Sequence, residues 1–61
     1  MHMFEIYRDA NKKYRFRMME KDRVIAVSEG FEEKASVVAA IRDAREVAAT
    51  ARIADKSVPV G

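Results

Sequence analysis

The sequence predicts an α+β domain of three strands followed by one helix. Three observations predict it. Between residues 3 and 28 hydrophobicity runs with a period of two, in three short stretches separated by polar turns. From Glu33 onward the period becomes helical. Between the two regimes stands Gly30, the only glycine before the terminal residue.

The first stretch, residues 3–8, places Phe4 and Ile6 on one face and Glu5 and Tyr7 on the other. Asp9-Ala10-Asn11-Lys12-Lys13 supplies turn residues. Residues 14–19 alternate more sharply, with Tyr14, Phe16 and Met18 opposite Arg15 and Arg17. Glu20-Lys21-Asp22 is the second turn. Residues 23–28 form the third strand; its middle is apolar throughout, and Ile25 and Val27 are assigned inward. Gly30 is expected to supply a left-handed backbone angle, and Phe31 to fill the corner between sheet and helix.

In the helix, Val37, Ile41, Ala44, Ala48 and Ala51 form one apolar stripe, flanked by Val38 and Val47. Ser36, Asp43 and Thr50 mark the wet side, and Glu32 and Glu33 suit the helix N-terminus. The many alanines favour helix and allow close packing, but they leave a core of small volume. Periodicity alone would carry the helix to Ile53. Thr50 and the Arg-Ile-Ala-Asp-Lys-Ser alternation argue for an earlier stop, with residues 51–56 as a short strand. The domain is expected over 3–57, with 1–2 and 58–61 as flexible ends.

Sixty-one residues make one thin domain. A chain of this size buries only about 60% of its unfolded surface and usually needs a staple. Cysteine is absent, which removes disulfides, thiolate metal sites and cysteine nucleophiles. Self-association is the staple that remains. A three-stranded sheet also leaves long unpaired edges, which a C-terminal strand of the same or a neighbouring chain could fill. Twelve basic and ten acidic residues give a net charge of +2, all of it from residues 1–30. That excess is weak as a nucleic-acid signal. No apolar run approaches a membrane span and no signal-peptide pattern appears, so a cytoplasmic protein is expected.

Catalytic groups are scarce. A second Met precedes the first patterned residue, so His2, the lone histidine, receives no functional weight. Without a base, Ser28, Ser36 and Ser57 make no hydrolytic set. Ser28 reads more simply as a strand-end residue bonding nearby backbone. Glu32-Glu33 and Asp43 with Glu46 read as solvated carboxylates. No calcium loop or phosphate-cradling loop is present, so no enzyme and no cofactor are expected. The least ordinary feature is the sheet face opposite the helix, where Tyr7, Arg15 and Arg17 fall together with Glu5. Two arginines and a ring can hold a single strand of nucleic acid. The plainer alternative is a set of cross-strand charge pairs on a solvated face. A third is a docking surface for a protein, with Met19 and Val24 adding apolar contact.

Phe-Glu-Ile-Tyr at 4–7, Tyr-Arg-Phe-Arg-Met at 14–18, Val-Ile-Ala at 24–26, Ser-Glu-Gly-Phe at 28–31 and Lys-Ala-Ser at 34–36 occur in order. In this the chain resembles the YegP-like family of small prokaryotic proteins, a domain of unknown function. The resemblance covers residues 4 to about 48. It implies a β(3)-α-β unit, two of which share a single antiparallel sheet and exchange their C-terminal strands. One unit here implies a homodimer, with Ala51, Arg52, Ile53, Ala54 and Asp55 as the exchanged strand. The family's Asn-Gly before the third strand is Lys21-Asp22, which suits a type I′ turn less well. Its helix-opening Ser is Glu33, a weaker N-cap, and Phe31 replaces its usual Tyr. No catalytic residue carries over. The expected role is a homodimeric protein-interaction or structural module, with weak single-strand nucleic-acid binding as the alternative.

Overall fold

The computed structural model describes residues 1–57; the proposed flexible end at 58–61 lies outside them. Strands β1 (His2–Arg8), β2 (Tyr14–Glu20) and β3 (Arg23–Val27) form one antiparallel sheet in the order β1-β2-β3. Helix α1 (Lys34–Thr50) follows and packs on β2.

The β1–β2 register sets the two faces as the alternation requires. Phe4 pairs with Met18, Ile6 with Phe16 and Arg8 with Tyr14; Met3 pairs with Met19, Glu5 with Arg17 and Tyr7 with Arg15. Directly opposed residues share a face, so Phe4, Ile6, Phe16 and Met18 form the apolar side. The rings of Phe4 and Phe16 meet edge to face at 5.7 Å. The turn between these strands is built on Asp9. Its carboxylate accepts the backbone N–H groups of Asn11 (2.8 Å) and Lys13 (3.0 Å), and Lys12 takes a positive φ of 63°. In the second turn only Lys21 has a positive φ, 54°. A type I′ turn needs a positive φ at both central residues and Asp22 has none, in keeping with the loss of Asn-Gly.

Strand β3 differs from expectation. A β-bulge opposite Met18 and Met19 leaves Ile25 without a partner, and Val27 pairs with Arg17. Val27 therefore lies on the arginine face, not inward, and Ile25 and Val27 are 52% and 51% exposed. One extra residue re-aims every side chain on its far side.

Past Val27 the chain keeps hold of β2 by other means. Ser28 N–H donates to the Phe16 carbonyl, and Phe16 N–H donates to Ser28 Oγ, both at 2.9 Å. The hydroxyl takes the place of a ladder carbonyl, so Glu29 can loop outward. Phe31 then rejoins β2 through two backbone hydrogen bonds with Tyr14, of 2.7 and 2.8 Å. Gly30 has no positive φ, which corrects the left-handed assignment. Its reason is crowding: a Cβ there would sit 2.8 Å from Lys13 Cβ.

The helix starts at the N-cap Glu33, which makes no side-chain capping bond. It stops at Thr50, and Ala51 turns to an extended backbone (φ −68°, ψ 141°). Residues 51–57 pair with no strand of their own chain. Seventeen residues make a helix about 25 Å long, and only its first half meets the sheet. Val37 is fully buried and Ala40, Ile41 and Ala44 are half-buried, while every residue from Arg45 to Ser57 is exposed. The stripe expected to run through Ala48 and Ala51 thus loses its cover after Ala44. Among the described residues only Phe16 and Val37 are buried hydrophobics. The chain exposes 5415 Å², roughly 1,400 Å² more than the approximately 4,000 Å² of a compact 7.0 kDa protein. Its radius of gyration is 13.9 Å, against about 10.5 Å for a compact chain of this length.

The crowding at Gly30 gives a test. Gly30→Ala should destabilise the fold by about 1–3 kcal/mol, the range for overpacking. Lys13→Gly in the same chain should recover part of that loss in thermal melts. An additive loss in the double variant would show that the two residues do not compete for space.

Candidate functional site

Two surfaces could act on another molecule. The first is the open sheet face. β1 and β2 bring Tyr7, Arg15, Arg17 and Glu5 side by side, as the alternation implies. Each arginine is already engaged. Arg17 Nε donates to Glu5 Oε1 at 2.7 Å, and its guanidinium lies 4.9 Å from the centre of the Tyr7 ring. Arg15 Nε donates to Asp9 Oδ2 at 2.5 Å, and Nη1 donates to the Ser28 carbonyl at 2.9 Å. A phosphate would have to displace a carboxylate from either cation. A base would have to displace Arg17 from the face of Tyr7. The geometry is that of a cross-strand network, and it does not favour the nucleic-acid alternative. Met3, Met19 and Val24 continue this face as an apolar end, with Met19 paired to both of the others.

Sequence reasoning did not find Asp9 as the partner of Arg15. The turn folds back so that residues six apart meet, which spacing along a strand does not show. Asp9 is held below its ordinary carboxyl pKa of 3.8, chiefly by the Lys13 N–H and then by Arg15. Its charge therefore stabilises the fold at neutral pH.

The second surface is an apolar groove of about 270 Å³ lined by His2, Met3, Phe4, Met18, Met19, Glu20 and Ile25. It lies at the end of the sheet away from Tyr14 and Phe31, where the helix begins. Phe4 and Met18 share the face of Phe16, whereas Met3 and Met19 belong to the arginine face, so the lining draws on residues of both faces at that end of the sheet. The bulge delivers Ile25 to it. No pattern in the sequence marks it, because its lining comes from all three strands.

Several other polar side chains are engaged in local structure. Ser28 Oγ donates to the Glu29 carbonyl at 2.8 Å while accepting from Phe16. Glu32 pairs with Lys13, and Glu20 with Arg23 at 2.7 Å. The described residues hold no group of three His, Cys, Asp or Glu side chains that could bind a metal. None of their helices is long and apolar enough to cross a membrane.

The lowered Asp9 pKa fixes a sign. Its contribution is complete above the ordinary carboxyl value of 3.8 and is lost as pH falls through the lower folded value. Asp9→Asn should melt at a lower temperature at pH 7 and lose part of the acid-induced drop expected below pH 4. An unchanged acid limb in melting curves would show that the Asp9 charge does not support the turn.

Comparison with known proteins places these features in a family. A family model described as a domain of unknown function (DUF1508) matches residues 9–55. A UPF0339 protein of Methanosarcina acetivorans is 39% identical over 54 residues, covering 87% of this chain and 93% of the relative. A UPF0339 protein of Treponema denticola is 40% identical over 53 residues, covering 85% and 91%. Neither name carries an activity. No solved structure matches the chain significantly. The ordered motifs, the three-strand-and-helix fold and these relatives agree: the chain belongs to this YegP-like family of small prokaryotic domains of unknown function.

Proposed function

We propose that the chain works as a homodimer, a non-catalytic interaction or structural module of the cytoplasm, in which each copy passes its tail, Ala51 to Asp55, to the sheet of the other. The observation that carries this reading is the apolar surface the chain leaves uncovered. Val47 on the helix is 58% exposed and Ile53 beyond it 99%, on a chain with two buried hydrophobic side chains among its described residues. The total exposed area is roughly 1,400 Å² above that of a compact chain of this mass, which leaves room for an interface of the standard approximately 800 Å² per partner. A projecting apolar element and an open apolar face on one chain suit a two-fold pair, in which each copy completes the other.

The tail supports exchange by its backbone. Ala51 leaves the helix extended, and Asp55 accepts hydrogen bonds from Ser57 N–H (2.9 Å) and Ser57 Oγ (2.5 Å), a local turn that closes the segment. Residues 51–54 keep their backbone groups free of strand pairing within the chain, so they can extend an edge strand.

Light scattering at micromolar concentration should give twice the 7.0 kDa chain mass. A chain ending at Thr50 should lose that mass and its cooperative melt together. A full-length protein that weighs 7.0 kDa throughout, or a shortened chain that still pairs, would contradict the proposal.

A further inference from the structure

We propose that Met1, Met3 and Met19 form a thioether site for a soft monovalent cation, copper(I), at the apolar end of the arginine-bearing sheet face.

The backbone brings the three together. Met3 stands directly opposite Met19 in the β1–β2 register, and Met19 opposite Val24 in the next pair. Opposed residues share a face with their Cβ atoms about 4.5–5.5 Å apart, and diagonal neighbours, about 7–8 Å apart, stay within reach of long side chains. Lys21 N–H donates to the Met1 carbonyl at 2.9 Å, so the pairing of β1 with β2 runs on through Met1. Residues two apart along a strand share a face, which sets Met1 beside Met3 and diagonal to Met19. Met18, the fourth methionine, belongs to the other face, opposite Phe4.

Core packing does not account for this cluster. Met1 is 84% exposed and Met3 42%, so neither fills an interior. The side chain is unbranched and flexible, so its sulfur can move to meet a ligand. Thioether sulfur is a soft donor that favours copper(I) and leaves magnesium and calcium to oxygen. The described residues gather no group of three His, Cys, Asp or Glu side chains for a harder cation. The sulfur set is the donor group that they do gather.

The surrounding charges agree with a monovalent guest. Three thioethers are neutral, so the loaded site carries only the single charge of the ion. The neighbouring row holds Glu5 opposite Arg17, and the Arg17 Nε donates to the Glu5 carboxylate at 2.7 Å, so that pair adds no net charge against a cation. Val24 borders Met19 from β3 with an apolar group. The rim formed by Met1 and Met3 is open, which suits an ion taken up and handed on. None of this depends on whether two copies pair.

The full-length protein, carrying carbon-13 methyl-labelled methionine, is titrated with silver(I), a redox-inert substitute for copper(I), and then with copper(I) under reducing conditions. The methyl signals of Met1, Met3 and Met19 should move together and saturate at one ion per chain, while Met18 stays in place. Zinc(II) and magnesium(II) should move none of them. This measurement on the unaltered chain does not depend on how any variant folds. Met3→Leu and Met19→Leu, which nearly conserve volume, should each weaken silver(I) binding by about tenfold or more, since loss of even an outer-shell partner costs a metal site about that much. Met18→Leu should leave the affinity unchanged. A drift of all four methyl signals without saturation would overturn the site by showing unspecific thioether contact. A response centred on Met18 would overturn it by placing the ion on the opposite face. Binding that survives both Met3→Leu and Met19→Leu but is lost in His2→Gln would overturn it by assigning the ion to the imidazole.

Discussion

The burial of Phe16 on β2 and of Val37 on α1, the helix that packs on that strand, is the constraint on which the rest of the molecule depends. β2 presents Phe16 between two neighbouring strands, α1 lays Val37 over the sheet, and no other hydrophobic residue among those described is buried. Two side chains supply little of what ordering a domain costs, since even full burial is worth about 1.5–3 kcal/mol each. Everything else in the fold either brings these two together or leaves apolar surface that they do not reach. The Ser-Glu-Gly-Phe segment belongs to the first group. By bonding Ser28 and Phe31 to β2 at Phe16 and Tyr14, it fixes where the helix can start. The second half of α1, the tail and the groove belong to the second group.

The polar side of the sheet makes up part of the deficit. Asp9 ties the first turn to Arg15, and Arg15 ties β2 to the Ser28 carbonyl, so one chain of hydrogen bonds links the first turn, the central strand and the end of β3. Glu5, Arg17 and Tyr7 form a second cross-strand set beside it. Exposed ion pairs of this kind are worth at most about 1 kcal/mol each. They hold register more than they supply stability, and they occupy the cations that an anionic partner would need.

Much of this was legible in the sequence, for identifiable reasons. A period of two with arginines on one side fixed the faces of β1 and β2, because a slip of one residue would bury Arg15 and Arg17. The helix end at Thr50 could be read from the change of pattern at Arg52 and Ile53. The inward assignment of Val27 failed because an apolar run in β3 does not reveal which residue is extra, and the bulge chose Ile25. By its sequence position Gly30 reads as left-handed, but the requirement comes from Lys13, seventeen residues away, whose Cβ would crowd any side chain there. The Asp9–Arg15 pair and the groove were hidden for the same reason: each depends on how separate segments approach, and local periodicity carries no such information.

On the proposed reading, one copy does not close its own core. The most direct measurement is the melting temperature followed over a wide dilution series. A structure completed by a second copy must unfold and dissociate together, so its melting temperature should fall steadily with protein concentration. A sharp melt at one temperature, independent of concentration, would mean that Phe16 and Val37 suffice for a single chain and that the account is wrong.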